Sequence, residues 1–371
     1  MYDHGMPDAR QNPSDRRPGD GSDRLQGLKR DRAVREIVRA WRKLTGAGRD
    51  RGADRRTLIA CSGGVDSSAL AIALASASRE LVVAHIVHDM RSRAEARADR
   101  DATASLAHAL GLPFAHAEAT GAKRGGNIEA TLRRERYKAL EDLAVAHHCR
   151  FVATGHHAWD QLETMLLALT RGAGPAGLGA IRASRALAPA GAGPGQSTTL
   201  IRPMLGATPE DCARICAAIG WRWQVDSTNS DITRARAAVR ASVIPPLLAV
   251  RPMVLARASD AARVQQELAD DLAARAEALL ARGIREEGAF VLARAEARRE
   301  PGVVIGEALR IAARSLGHGA GMDRLRYRTI REACELIRSS SGDAREVTLG
   351  PVRVFVGPMH VRIAGKHAGP G

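Results

Sequence analysis

Seven consecutive residues carry the densest chemistry in the chain: Ser62, Gly63, Gly64, Val65, Asp66, Ser67 and Ser68. Two glycines let a bulky anion approach the backbone, serine hydroxyls add donors, and the unpaired N–H groups of a helix start carry partial positive charge. Together they make a phosphate site. Asp66 would repel phosphates unless a divalent cation lay between, which makes it a Mg2+ ligand. A plain turn with a good N-cap is the alternative. The lysine-bearing loop Gly-x-x-x-x-Gly-Lys-Ser/Thr is absent, because the only Gly-Lys pair is Gly365-Lys366.

Three further groups carry chemistry. His85 and His88 close a predicted strand, and Arg133, Arg136 and Tyr137 lie on a predicted helix that Asn127 caps. His156, Asp160 and Glu163, at i, i+4 and i+7, share one face of a helix that starts where a strand ends. An imidazole and two carboxylates on such a face suit a metal or a general base; a solvated face is the other reading. Arg133 and Arg136 suit a phosphate, or a salt-bridge ladder with Glu129 and Glu135.

These residues need a scaffold, and the apolar patterning supplies one. Leu58 to Cys61, Leu81 to Val87, Pro113 to Ala117 and Phe151 to Thr154 read as strands, alternating with helices over Ser67 to Ala75, Ala94 to Leu110 and Asn127 to Ala146. That alternation predicts an α/β fold, a doubly wound parallel sheet with ligands at the carboxyl ends of its strands. Residues 1–24 have almost no aliphatic content and are expected to form a disordered tail; Leu25 to Leu44 reads as one amphipathic helix. Beyond Thr170 come a glycine-rich loop from Arg171 to Gly179, an exposed insertion over 185–199, and a helix from Pro209 to Ile219. Next are a strand at Trp221-Arg222-Trp223, a turn at Asp226 to Asn229, and a short helix carrying Arg234, Arg236 and Arg240 and ended by Pro245-Pro246. A boundary near 246 separates a catalytic domain, 25–246, from a docking region, 247–371. The latter reads as a long Ala-rich helix from Val254 to Arg282, mostly helix to Arg338, then strand-like Glu346 to Leu349, Val352 to Val356 and His360 to Ile363.

At 371 residues the chain is long enough for two domains. It is 45% hydrophobic but only 3% aromatic, so Ala, Leu and Val must do most of the packing. A net charge of +15 suits a protein that docks on phosphate backbones, with an arginine-rich coding bias as the bland alternative. The five cysteines, with no Cys-x-x-Cys, suggest neither a disulfide framework nor a zinc or iron–sulfur site. No signal-peptide core or long apolar span appears, so a cytoplasmic protein without membrane association is expected.

With these residues in view, the loop from Ser62 to Ser67 resembles that of the PP-loop ATP pyrophosphatases, the adenine nucleotide alpha hydrolase-like fold. Within them the chain resembles the bacterial tRNA(Ile)-lysidine synthetases from about Leu58 to Pro245. The motifs recur in that family's order: Ala84-His85 with His88 and Arg91; Asn127 to Ala130 with Arg133, Arg136 and Tyr137; Thr154 to Ala158 with Asp160-Gln161 and Glu163-Thr164; Arg171-Gly172 with Gly177-Leu178; Ile201-Arg202-Pro203; Asp226 to Asn229; and Arg236 with Arg240. Two residues depart. Trp159 stands where the family has Asp, which predicts weaker metal or lysine binding, and Ala237 stands where it has Asn.

The resemblance implies ATP-dependent attachment of L-lysine to C2 of the wobble cytidine of CAU-anticodon tRNA(Ile), through an adenylated base, with AMP and pyrophosphate released. It implies ATP and Mg2+ at Ser62, Gly63, Gly64, Val65, Asp66, Ser67, Ser68 and His85, with Asp66 on the metal. Asp66, Arg136, His156 and Asp160 would be catalytic, and Glu163, Arg133, Arg236 and Arg240 would bind substrate. The basic C-terminal region would dock the tRNA body, and a homodimer is compatible with all of this. Two alternatives stand beside it: a PP-loop tRNA thiolase, which generally relies on paired cysteines, and a nucleotide- or RNA-binding protein on a decayed enzyme scaffold.

Overall fold

A computed structural model describes residues 20–46, 55–88, 93–119, 128–187, 198–224, 235–317, 325–339 and 344–366. Two compact units divide the chain: one comprises 1–173 and 180–262, the other 174–179 and 263–371.

The first unit is built on six strands, β1 (Thr57–Ala60), β2 (Leu81–His88), β3 (Phe114–Ala119), β4 (Phe151–Thr154), β5 (Ser184–Ala186) and β6 (Thr199–Ile201), in the order β3-β2-β1-β4-β6-β5. All neighbours run parallel except β5, which is antiparallel to β6 at the edge. Strand residues alternate between two buried layers, as a parallel sheet covered on both faces requires. Ile59, Val83, Ala153 and Ile201 face one core, and Leu58, Val82, Val152 and Leu200 face the other.

On the first face lie α1 (Asp20–Leu28), α2 (Arg32–Leu44), α3 (Val65–Ala75), part of α4 (Arg93–Ala109) and, later in the chain, a helix over Pro209–Ala218. The second face is covered by α5 (Ile128–Ala146) through Tyr137, Leu140 and Ala144. The single helix expected over Leu25 to Leu44 is two. Asp31 breaks it by capping α2, accepting from the Val34 amide at 3.1 Å. Described structure starts at Asp20 with α1, inside the stretch read as a disordered tail; residues 1–19 lie outside the described residues. Trp41 ties α2 to the sheet, donating from Nε1 to Thr57 Oγ1 at 3.0 Å.

The remaining elements are α6 (Ala158–Thr170), α7 (Pro175–Leu178), α8 (Pro209–Ala218), α9 (Ala235–Ala238), a π-helical turn Val239–Val243, α10 (Ile244–Val250) and α11 (Val254–Ala281). Pro245 and Pro246 open α10 instead of ending a helix, since a proline in the first turn forfeits no hydrogen bond. Trp221 to Trp223 form no strand: both indoles pack on the core as irregular chain. The turn read at Asp226 to Asn229, with Asn127, Arg91 and Arg234, lies outside the described residues.

In the second unit, α12 (Arg294–Arg299), α13 (Gly302–Leu316) and α14 (Tyr327–Arg338) accompany a five-stranded antiparallel sheet. Its strands are β7 (Ile284–Glu286), β8 (Ala289–Ala293), β9 (Arg345–Leu349), β10 (Val352–Val356) and β11 (His360–Gly365), ordered β7-β8-β11-β10-β9. The β7–β8 hairpin interrupts a stretch read as mostly helical. The buried Arg294 holds α14 by its end, donating to the carbonyls of Ile337, Leu336 and Ser339 at 3.1, 2.9 and 3.0 Å. Such bonds satisfy carbonyls that have no partner within the helix.

Candidate active site

The order of the sheet reverses between β1 and β4, because the chain leaves β1 towards β2 and β3 and later returns on its other side. A crevice opens at the carboxyl ends of such a strand pair. The loop after β1 and the turn after β4 meet there. A Cβ on Gly155 would sit 3.0 Å from the Asp66 carbonyl carbon and oxygen and from the Ser67 nitrogen, so any side chain there would push the two backbones apart by a few tenths of an ångström.

The β1 loop is held from several sides. Gly63 adopts φ +87°, a region that disfavours side chains, and its carbonyl accepts from the Gln224 amide at 3.1 Å. The irregular Trp221 to Gln224 segment is therefore a brace for the loop. Gly64 occupies the N-cap of α3 and offers no capping side chain, which leaves first-turn amides for an external anion. Ser67 Oγ accepts from the Ser62 amide at 3.1 Å and donates to the Gly64 carbonyl at 3.1 Å, while Ser62 itself is exposed. Ser68 is wholly buried beside the Cys61 thiol, so it shapes the loop from beneath. His85 is buried in β2 with Nδ1 2.9 Å from the Cys61 carbonyl, at the base of the loop.

Asp66 is 37% exposed at the mouth of this cradle, a single carboxylate beside a phosphate-sized seat. Among the described residues no group of three His, Cys, Asp or Glu could cage a metal by itself. That donor set fits Mg2+ completed by phosphate oxygens and water.

From the β4 side, α6 does not start early enough to include His156. His156 lies in the turn, with Nδ1 2.9 Å from Thr154 Oγ1, and the N-cap of α6 is His157. Only Asp160 and Glu163 of the expected trio share the helix. His157 was not singled out by the spacing, yet its buried ring links the two halves of the crevice: Nε2 is 3.5 Å from Asp66 Oδ1 and Nδ1 is 3.5 Å from Asp160 Oδ2. Burial opposes its protonation, but Asp66 and Asp160 outweigh burial and raise its pKa. Gln161 fastens the helix by bonding both ways to the Ile181 backbone, at 3.0 and 2.8 Å.

Asp160 and Glu163 meet the arginines expected from the later helix. Arg240 Nη2 reaches Asp160 Oδ1 at 2.9 Å, its Nε donates to Glu163 Oε2 at 3.0 Å, and Arg236 pairs with Glu163 as well. Glu163 is fully buried; burial pushes its pKa up and Arg240 and Arg236 oppose that shift. Arg236 and Arg240 are thus turned towards the carboxylates of the crevice.

His156 is pushed down to about 4, first by burial, against Asp160, and with help from Arg202, Arg136 and Arg133. Its folded pKa lies below the unfolded value of about 6.5, so the unfolded chain takes up the proton first. The stability that neutral His156 contributes is full above about pH 6.5 and is lost as pH falls towards about 4. His156→Gln is expected to flatten that part of the stability curve. Urea midpoints at about pH 7 and about pH 5 measure it; an unchanged slope contradicts the assignment.

Trp159, one residue from Asp160, points elsewhere. It packs with Leu162, Met165, Ile244, Leu248 and Leu255, where α6 meets α10 and the start of α11. Trp159→Asp would bury a carboxylate among aliphatic side chains and is expected to cost about 2–4 kcal/mol of stability without a gain in activity. A chemical denaturation series checks the first half; a more active variant would contradict the second.

All five cysteines are buried, and burial raises the thiol pKa values of Cys61, Cys212, Cys216 and Cys334, the last two to about 12 and about 11. Such thiols are poor nucleophiles. Iodoacetamide is expected to label the native protein far more slowly than the urea-unfolded chain and to leave activity intact; rapid loss of activity would revive sulfur chemistry.

The family described as "PP-loop domain" matches residues 32–247. A tRNA(Ile)-lysidine synthase of Salinispora arenicola is 34% identical over 87% of this chain and 93% of its own length. The chain belongs to the tRNA(Ile)-lysidine synthase family. The enzyme of that name from Salinispora tropica is 39% identical over 58% of this chain and 63% of its own length. For the one from Geobacter sulfurreducens the values are 34%, 68% and 51%, so the match spans about half of that relative. Among solved structures, the U34-tRNA thiolase NcsA of Methanococcus maripaludis matches 63% of this chain and 80% of its own with a TM-score of 0.49 at 15% identity.

Proposed function

We propose that this chain joins L-lysine to C2 of the wobble cytidine of CAU-anticodon tRNA(Ile), converting ATP to AMP and pyrophosphate. The observation that carries the reading is the backbone contact at Gly155, which brings an anion-binding loop against the Asp160, Glu163, Arg236 and Arg240 cluster. One half of the crevice suits a polyphosphate and the other an amino acid, whose ammonium complements carboxylates and whose carboxylate complements guanidinium groups.

In this reading cytidine O2 attacks the α-phosphorus of ATP and pyrophosphate leaves. The lysine amine then attacks C2, the C2–O2 bond breaks and AMP departs. Ser62, Gly63, Gly64, Val65 and Ser67 hold the pyrophosphate, with His85 and Ser68 shaping the loop. Mg2+ on Asp66 would neutralise charge on the leaving group. Arg136 and His156 stand at the reaction centre; His156, held neutral, accepts a hydrogen bond without adding positive charge beside the amine. Asp160 stands with them; Glu163, Arg236 and Arg240 hold the lysine, and Arg133 meets the RNA. We assign the chemistry to 25–246 and the docking of the tRNA body to 247–371. Among the described residues no single helix is long and apolar enough to cross a membrane. We place the enzyme in the cytoplasm, with its three substrates, and a homodimer is compatible with the scheme.

The test is pyrophosphate release from ATP with and without CAU-anticodon tRNA(Ile). Release that needs the tRNA supports the reading. No release under any condition would leave a binding protein on an enzyme scaffold.

A further inference from the structure

Four arginines converge on one phenol. The guanidinium carbons of Arg185, Arg133 and Arg136 lie 4.7, 5.2 and 5.4 Å from the centre of the Tyr137 ring, Arg133 Nη2 donates to the Tyr137 hydroxyl at 3.3 Å, and Arg202 is close enough to act on the phenol electrostatically. Elsewhere in the chain guanidinium groups meet carboxylates, as at Arg240, Arg214 and Arg282. Among the described residues none of these four does; Glu135, offered by the sequence as a partner, sits by Arg134 at 3.6 Å. Arg202 is only 4% exposed, and its Nε, like that of Arg136, is a buried donor without an acceptor. Uncompensated like charges around orphaned donors call for an anion. The local potential agrees: burial raises the Tyr137 pKa, and Arg133, Arg136 and Arg202 outweigh it and lower it.

We propose that the Arg133, Arg136, Arg185 and Arg202 cluster is a seat for one phosphodiester group of the RNA backbone beside the target nucleotide. The inference rests on the reading of RNA as substrate. Guanidinium forks match phosphate oxygens bidentately. The cluster grades from exposed Arg133 and Arg185 to buried Arg202, so a passing backbone can lower a phosphate into it. Arg202 follows β6 and Arg185 lies on β5, two and three strands from the phosphate loop of β1, or roughly 10 and 14 Å at about 4.8 Å per strand. That distance separates Arg202 and Arg185 from the loop that holds the pyrophosphate, while Arg136 belongs both to the cluster and to the reaction centre. His156 lies between them on the strand order, at the end of β4.

Arg185 is exposed, so its replacement should not disturb folding. Binding of the CAU anticodon stem-loop to Arg185→Ala and Arg185→Glu is measured by fluorescence anisotropy across a salt series, beside binding of ATP with Mg2+. Arg185→Ala is expected to weaken RNA binding about fivefold and to lower the log–log salt slope by about one, and Arg185→Glu to weaken it further. ATP affinity should stay within about twofold of wild type. RNA affinity and slope unchanged, or a loss confined to ATP, would overturn the seat. Arg185-dependent RNA binding by a protein that incorporates no lysine would sink the proposed activity and leave the seat standing.

Discussion

Replacing Asp66 by Asn is expected to reduce pyrophosphate release at saturating ATP and tRNA by about a thousandfold or more, while the melting temperature stays within a few degrees. The asymmetry follows from where the side chain sits. Asp66 is 37% exposed, and its contact with His157 is a 3.5 Å pairing outside normal hydrogen-bond geometry, so folding gains little from it. The amide cannot neutralise a divalent cation, whereas the loop amides that would hold the phosphates are unchanged. ATP binding without Mg2+ should therefore survive in the variant, and only the Mg2+-dependent gain should vanish. Activity within threefold of wild type would remove Asp66 from the metal.

Gly155→Ala should be damaging to a lesser degree, with a different signature. Its new methyl would meet three backbone atoms of Asp66 and Ser67 at 3.0 Å, and backbone cannot swing aside as a side-chain end can. Either the β1 loop or the β4 turn must move. A displacement of a few tenths of an ångström at a site that depends on position is expected to cost about tenfold in rate, and the overpacking should cost about 1–3 kcal/mol. Here the melting temperature and the rate fall together. A variant that keeps both would mean that the two halves of the site are not in contact during turnover.

The sequence makes the phosphate loop legible because its chemistry is contiguous: seven neighbouring residues, two of them glycine, run from just past a buried strand into the first turn of a helix. The strands are legible because a parallel sheet buried on both faces leaves unbroken apolar runs. Residues brought together from separate elements are not. Arg185 and Arg202 reach Tyr137 from different strands, and no spacing along the chain relates them to it. His157 did leave a signal. It stands three residues before Asp160, the distance between an N-cap and the side chain that reaches back to it, and the Asp160 carboxylate accepts from the His157 amide at 2.9 Å. The i, i+4, i+7 spacing from His156 predicts a helix start that is too early and masks that signal. Trp159 reads as a defect only when its neighbours on the helix face are unknown; one residue of rotation carries it from the crevice to the apolar junction. The β7–β8 hairpin was announced by Glu287-Gly288 before the apolar run from Ala289 to Leu292, a turn signal weaker than the arginine-rich helical pattern on either side. Pro245-Pro246 shows the same ambiguity, since a proline that cannot continue one helix is suited to begin the next.

The account stands or falls on the fate of lysine. Purified protein is incubated with ATP, Mg2+, radiolabelled L-lysine and a CAU-anticodon tRNA(Ile) transcript, and label is counted in acid-precipitable RNA. Incorporation that requires ATP, disappears with Asp66→Asn and is lost when the wobble cytidine is changed is the result predicted here. Pyrophosphate released in a tRNA-dependent manner, with no lysine entering the RNA, would contradict it by showing that the adenylated base is passed to another nucleophile.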